Sequence, residues 1–130
     1  VTPLHFDLCH GLLTQLAGTK RVLLIAPEHS RSTHRNPPSH ANPNSSPVDL
    51  PLWLGDSPHD KDAADTERGK YHKVANVVGE VYECVLTPGD TLYIPPFWWH
   101  HITTLNEAST SLLLAFDPTV EEGVHPCVED

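Results

Sequence analysis

Two short stretches of this chain carry residue types suited to metal chemistry. The first is His5-Phe6-Asp7. In an extended segment, residues i and i+2 share a face. The imidazole of His5 and the carboxylate of Asp7 then stand side by side, while Phe6 turns into the opposite layer. One more histidine from a different strand would complete a two-histidine, one-carboxylate facial triad, which leaves adjacent positions open and suits non-haem Fe(II). The second stretch is FWWHHI, Phe97–Ile102. His100 and His101 are neighbours, so in a strand they face opposite ways and only one can enter a shared site. Alternation alone does not choose between them. A bare HxD is common by chance, and its weight comes from the elements around it.

Those elements read as mainly β. Leu12–Gly18 is apolar and leads through a Gly18-Thr19 turn into a strand over Lys20–Ala26, rich in β-branched residues and leucine and stopped by Pro27. Val81–Leu86, Thr91–Ile94, His100–Leu105 and Ser109–Phe116 read as further strands. Thr87-Pro88-Gly89-Asp90 is a turn between two of them, and Asn106-Glu107-Ala108 suits a hairpin between the last two. Short strands at this spacing suggest a sandwich or barrel. Residues 28–70 break the pattern: rich in Pro, Ser, Asn and His, they read as a long polar insertion, with one helical turn at most over His59–Lys70. Leu52-Trp53-Leu54 is an apolar island within it, expected to dock on the core. The insertion as a whole is expected to shape the entrance of a site. Residues 121–130 are polar and read as a frayed end.

Composition narrows the function. A chain of 130 residues, 38% hydrophobic, makes one domain with a modest core. Seventeen acidic against 8 basic side chains give a formal charge of −9, which disfavours a general nucleic-acid binder without excluding a local basic patch. There is no apolar run long enough for a membrane helix, and the start VTPLHFDLCHGLL has no signal-peptide pattern. Three cysteines, Cys9, Cys84 and Cys127, show no CxxC spacing; a reducing, intracellular setting (cytoplasm or nucleus) suits them better than a disulfide framework. Ten histidines are many. His29, His34, His40 and His59 fall in the polar insertion without zinc-like spacing, and His10, His72 and His125 have no partner that the sequence names.

Taken together, HFDLCHGLLTQLAGTKRVLLIAP and YECVLTPGDTLYIPPFWWHHI resemble the JmjC or cupin-type Fe(II)/2-oxoglutarate dioxygenases, especially the small hydroxylase branch. The matched blocks cover residues 2–27 and about 77–116. The resemblance implies a double-stranded β-helix, or jelly-roll barrel, spanning 1–130, with the long insertion and with strands lacking before His5. It places His5, Asp7 and His100 as the metal ligands, with His101 facing away. It also places Lys20 and Thr2 on the far carboxylate of 2-oxoglutarate. A dianionic co-substrate needs a cation at the closed end of its pocket, which a lysine supplies. Fe(II), 2-oxoglutarate and dioxygen are the implied cofactor and co-substrates, and a protein or peptide side chain the implied substrate. Lysine demethylation and tRNA-base hydroxylation are the alternatives within the family. Trp98 and Trp99 are expected in the core, and Cys9 near the metal or buried. Two departures stand out: Gly11 and Ala115 occupy positions where relatives often carry asparagine. They raise the alternative of an inactive cupin that only binds, and Lys20 weighs against a cupin that uses its metal without 2-oxoglutarate.

Overall fold

In the computed structural model, residues 1–56 and 59–119 are described; His125, Cys127 and the polar stretch 121–130 lie outside them. Seven strands, β1 (Thr2–His5), β2 (His10–Ala17), β3 (Lys20–Ile25), β4 (Tyr82–Leu86), β5 (Thr91–Ile94), β6 (Trp99–Thr104) and β7 (Thr110–Phe116), form two antiparallel sheets. One runs β1-β6-β3-β4 and the other β5-β2-β7. The chain crosses between sheets after β1, β2, β4, β5 and β6, the winding expected of a jelly roll.

The strands expected from β3 onward are all present, with ends shifted by a residue where proline or glycine does not fix them. The turn at Thr87–Asp90 closes through the Asp90 N–H donating to Thr87 O at 3.0 Å, and Gly89 takes the left-handed conformation it needs (φ 97°). It joins strands of opposite sheets. The hairpin expected at Asn106–Ala108 is corrected for the same reason: β6 pairs with β3 and β1, β7 pairs with β2, and the connection passes from one sheet to the other.

Two apolar clusters result. Leu13, Val22, Leu24, Leu86 and Ile94 pack between the sheets. A larger cluster lies on the outer face of the four-stranded sheet, where Leu4, Phe6, Leu23, Ile25, Phe97 and Trp99 meet Val48, Leu50, Trp53, Val74 and Val77 of the intervening segment. That segment is therefore more ordered than a loop. It holds a 3-10 turn (Pro27–Ser32), helix α1 (Leu50–Leu54) and the ten-residue helix α2 (Lys61–Lys70), and two further 3-10 turns (His72–Asn76, Val78–Glu80) precede β4. Helix α1 forms because Asp49 accepts the Leu52 N–H at 3.1 Å, Pro51 sits in the first turn and Gly55 ends it at φ 82°. Helix α2 has one buried residue, Ala64, and is held by its edges: Arg68 donates to Trp53 O (2.8 Å) and Glu67 accepts the Asp49 N–H (2.8 Å). The island Leu52-Trp53-Leu54 docks as expected, with Trp53 buried and its indole donating to Tyr71 O at 3.1 Å.

Candidate metal centre

Strand β6 lies between β1 and β3, so each of its side chains belongs to one sheet face or the other. Its register with β3 pairs His100 with Leu24 and Ile102 with Val22, both inward-facing, and His101 with Leu23 and Trp99 with Ile25, both in the outer cluster. His100 therefore points between the sheets and His101 points away. Strand β1 lies across from His100 with His5, and three steps from Thr2 to His5 match two steps from Ile102 to His100. This bulge brings Thr2 and His5, which a regular strand would set on opposite faces, to the same side. Beyond His5, Phe6 enters the outer cluster and Asp7 turns inward beside the two imidazoles.

The His5, Asp7 and His100 ligand atoms all lie within 4.8 Å of one another. His5 Nε2 is 3.7 Å from Asp7 Oδ1, and His100 Nε2 is 3.5 Å from Asp7 Oδ2. The opposite ring nitrogens are committed: His5 Nδ1 donates to Pro3 O at 2.8 Å and His100 Nδ1 to Trp98 O at 3.0 Å. A carbonyl only accepts, so these bonds put the proton on Nδ1 and leave the Nε2 lone pairs aimed at the carboxylate. Two lone pairs and an anion converging on one point repel unless a cation sits between them. Donor atoms around a small divalent ion at about 2.1 Å are roughly 3 Å apart, so ligand atoms within 4.8 Å of one another would draw together around a bound ion. The donor chemistry fits a two-histidine, one-carboxylate metal site. When the imidazoles are protonated, the hydrogen bond from His100 and then the charge of both histidines hold the Asp7 carboxyl below its usual range, against partial burial.

The same three residues line a cavity of about 260 Å³ together with Thr2, Lys20 and an apolar wall that includes Leu13, Ile94, Ile102 and Leu113. Lys20 starts β3 on its inward face, opposite Thr104 and Leu86, four residues before the Leu24 that faces His100. At about 3.3 Å per residue this sets it roughly 13 Å along the strand from the triad. Among the described residues it has no ion-pair or hydrogen-bond partner for its ammonium. The structure thus gathers all five sequence-selected residues on one cavity. Cys9 also lines it, while Trp99 is fully buried in the outer cluster and Trp98 packs on the inter-sheet cluster, 5.9 Å from the Tyr82 ring. Among the described residues, none of 28–70 lines the cavity, although the insertion was expected to shape its entrance.

Sequence reasoning missed the two groups that hold the His5–Asp7 backbone. Phe97 adopts a left-handed conformation (φ 67°), unusual for a bulky residue, and its N–H donates to Asp7 O at 2.8 Å. Asn44 bonds the Phe6 peptide twice, accepting from Phe6 N at its own carbonyl (3.0 Å) and donating from Nδ2 to Phe6 O (2.8 Å). Neither carries a signal in a single sequence: Asn44 lies in a polar NPNSSP run, and nothing about Phe97 announces a positive φ.

The cupin-like domain family matches residues 1–122. The chain belongs to this cupin-like family of JmjC domains. It is similar to a Jumonji C domain-containing protein 5 of Drosophila melanogaster (34% identity over 102 residues, 78% of this chain and 21% of the relative). It is similar also to lysine-specific demethylase JMJ30 of Arabidopsis thaliana (33% over 106 residues, 81% and 21%) and to tRNA wybutosine-synthesizing protein 5 of Danio rerio (32% over 102 residues, 78% and 25%). The chain spans about a fifth to a quarter of the length of these relatives. The two-sheet architecture of the JmjC domain agrees with the jelly roll implied by the sequence.

Proposed function

We propose that residues 1–130 belong to the catalytic domain of an intracellular Fe(II)- and 2-oxoglutarate-dependent oxygenase that hydroxylates a protein side chain. One observation carries this reading: a His-Asp-His donor set and a lysine unpartnered among the described residues line the same cavity, together with an apolar wall. His5, Asp7 and His100 would hold the iron, which when bound supplies the dioxygen and electron chemistry. Lys20 and Thr2 would take the distal carboxylate of 2-oxoglutarate, and Leu13, Ile94, Ile102 and Leu113 would exclude water from its methylenes. The span of about 13 Å from Lys20 to the triad is one that a lysine side chain and a five-carbon diacid bridge together. A metal site with no diacid co-substrate gives no reason for a free ammonium at that depth.

A protein substrate accords with the net charge of −9, which opposes a phosphate backbone. Demethylation of a lysine is the second reading, favoured by the similarity to a protein named lysine-specific demethylase JMJ30. The test is anaerobic loading with Fe(II) followed by 2-oxoglutarate, watching for the visible charge-transfer band of the chelate. A folded, iron-loaded protein that shows no band overturns the reading. Candidate peptides incubated with the complete system and weighed by mass spectrometry then separate gain of one oxygen from loss of one methyl group.

A further inference from the structure

The segment that brings Asn44 to the site is itself rigidly held. Arg35 donates to Pro43 O at 2.7 Å and its guanidinium lies 5.0 Å from the Phe6 ring centroid. Asn36 donates from its backbone to Ser45 O (2.8 Å) and from its side chain to Asn42 O (3.1 Å), and the buried Ser46 hydroxyl donates to Thr33 O. From this frame, Ser46 N donates to Leu4 O at 2.9 Å, so the segment runs antiparallel beside residues 4–6, as the bridge between His5 and Ser45 records. The strip ends on Asn44, whose two bonds grip both backbone polar groups of Phe6, the residue between the two donors of HxD. On the other side Phe97 fixes the carbonyl of Asp7.

We propose that Asn44 is a positioning residue for the metal centre: its side-chain amide fixes the Phe6 peptide and thereby the angle between His5 and Asp7. The inference rests on the metal reading of the triad. Phe6 O only accepts, so the group facing it must be a donor, here the amide NH2. The backbone bond from Phe6 N survives any substitution at position 44, and the side-chain bond is the part open to test. Groups that orient metal ligands without touching the ion contribute a factor of about 10–100 in affinity. The lower end applies here, since Asn44 acts through a peptide and not on a ligand ring.

The experiment uses the full chain and Co(II), whose visible absorption reports coordination geometry. Asn44→Ala and Asn44→Asp, which lacks the donor, should each weaken Co(II) binding roughly tenfold and alter the band shape, and Asn44→Gln should recover part of both. Ser46→Ala, which loosens the same strip without touching the Phe6 peptide, should lower the melting temperature yet leave Co(II) affinity within about twofold. Asn44→Asp alone carries the comparison should the alanine variant not fold. Wild-type affinity and spectrum in the alanine and aspartate variants overturn the proposal, as does an equal loss of Co(II) affinity in Ser46→Ala. Failure of the unmodified chain to bind Co(II) overturns the metal reading itself, and it shows before any variant is compared.

Discussion

Replacing Lys20 by methionine removes one charge from the cavity and little else. The thioether is close in length to the lysine stem, and among the described residues no acidic partner is stranded. Folding should therefore be unaffected or slightly favoured, since an unpaired, half-buried ammonium costs solvation. Binding is another matter. A carboxylate 4 Å from the ammonium at an effective dielectric near 20 gains about 4 kcal/mol. Stripping water from both groups returns part of that, and charged hydrogen bonds in proteins net about 1.5–3 kcal/mol. A loss of about 2–3 kcal/mol raises the dissociation constant for 2-oxoglutarate roughly 30- to 150-fold. Lys20→Arg keeps the charge on a longer, flatter head and should lose less. The assay is titration of 2-oxoglutarate into anaerobic, Fe(II)-loaded protein, following the charge-transfer band. Co-substrate affinity within threefold of wild type in the methionine variant would refute the assignment of Lys20.

Three further outcomes follow from other parts of the molecule. Gln15 is fully buried, donates to Ala17 O (2.6 Å), Gly18 O (3.0 Å) and Ser109 Oγ (2.9 Å), and accepts from Ser111 at 2.6 Å; Gln15→Leu should cost about 2–3 kcal/mol, read by urea unfolding, and a loss below about 0.5 kcal/mol (half of one hydrogen bond) would show the network to be idle. Gly11 has no left-handed φ, and a Cβ there would sit 3.6 Å from Leu113 Cδ1 and 3.8 Å from Ile94 Cβ, ordinary contacts. Gly11→Ala should therefore raise stability by about 0.4–1 kcal/mol while narrowing the cavity, and a lower melting temperature would contradict that. The His34 imidazole titrates below its usual range, first because of burial and then because of Lys73 and His72. The folded state thus binds that proton less readily than the unfolded chain, so stability held above the ordinary histidine range is lost as pH falls through it. Protonating Nε2 also removes the acceptor of the Lys73 N–H. His34→Asn, which tolerates the φ of 52° at this position, should flatten the melting temperature between pH 7.5 and 5; an unchanged slope would refute the linkage.

What the sequence disclosed depended on how local the signal was. β5 at Thr91–Ile94 is bounded by a turn and by Pro95-Pro96, and its limits match residue for residue. β2 has no clean alternation to read, because its inward positions Gly11, Leu13 and Gln15 include a glycine and an amide whose satisfaction comes from Ser109 and Ser111, nearly a hundred residues on. Helix α2 offers one buried alanine and few apolar residues, so no amphipathic stripe announces it. Val74 and Val77, both buried, recur every third residue, the period of a 3-10 turn and not of a strand. The juxtaposition of His5 and Asp7 was legible from HxD because period two is local. The choice of His100 over His101 was not, since it depends on which neighbour β6 pairs with.

That choice explains why the two tryptophans and two histidines stand together. Between its two clusters β6 alternates strictly: Trp99 and His101 go to the outer layer, His100 and Ile102 to the cavity. A slip of one residue would exchange the histidines and drive a tryptophan into the cavity, so the site exists only if the register is fixed by something stronger than the histidines. Trp99 is that anchor. It is fully buried against Phe6 at 4.9 Å between ring centroids, and its indole donates to Ser30 Oγ at 2.8 Å. Ser30 belongs to the first turn of the insertion, and Phe6 is the central residue of HxD. The outer cluster built by the insertion thus sets the register of His100, as Asn44 of the same insertion sets the peptide between His5 and Asp7. A segment that contributes no side chain to the cavity wall among the described residues holds both halves of the donor set in place.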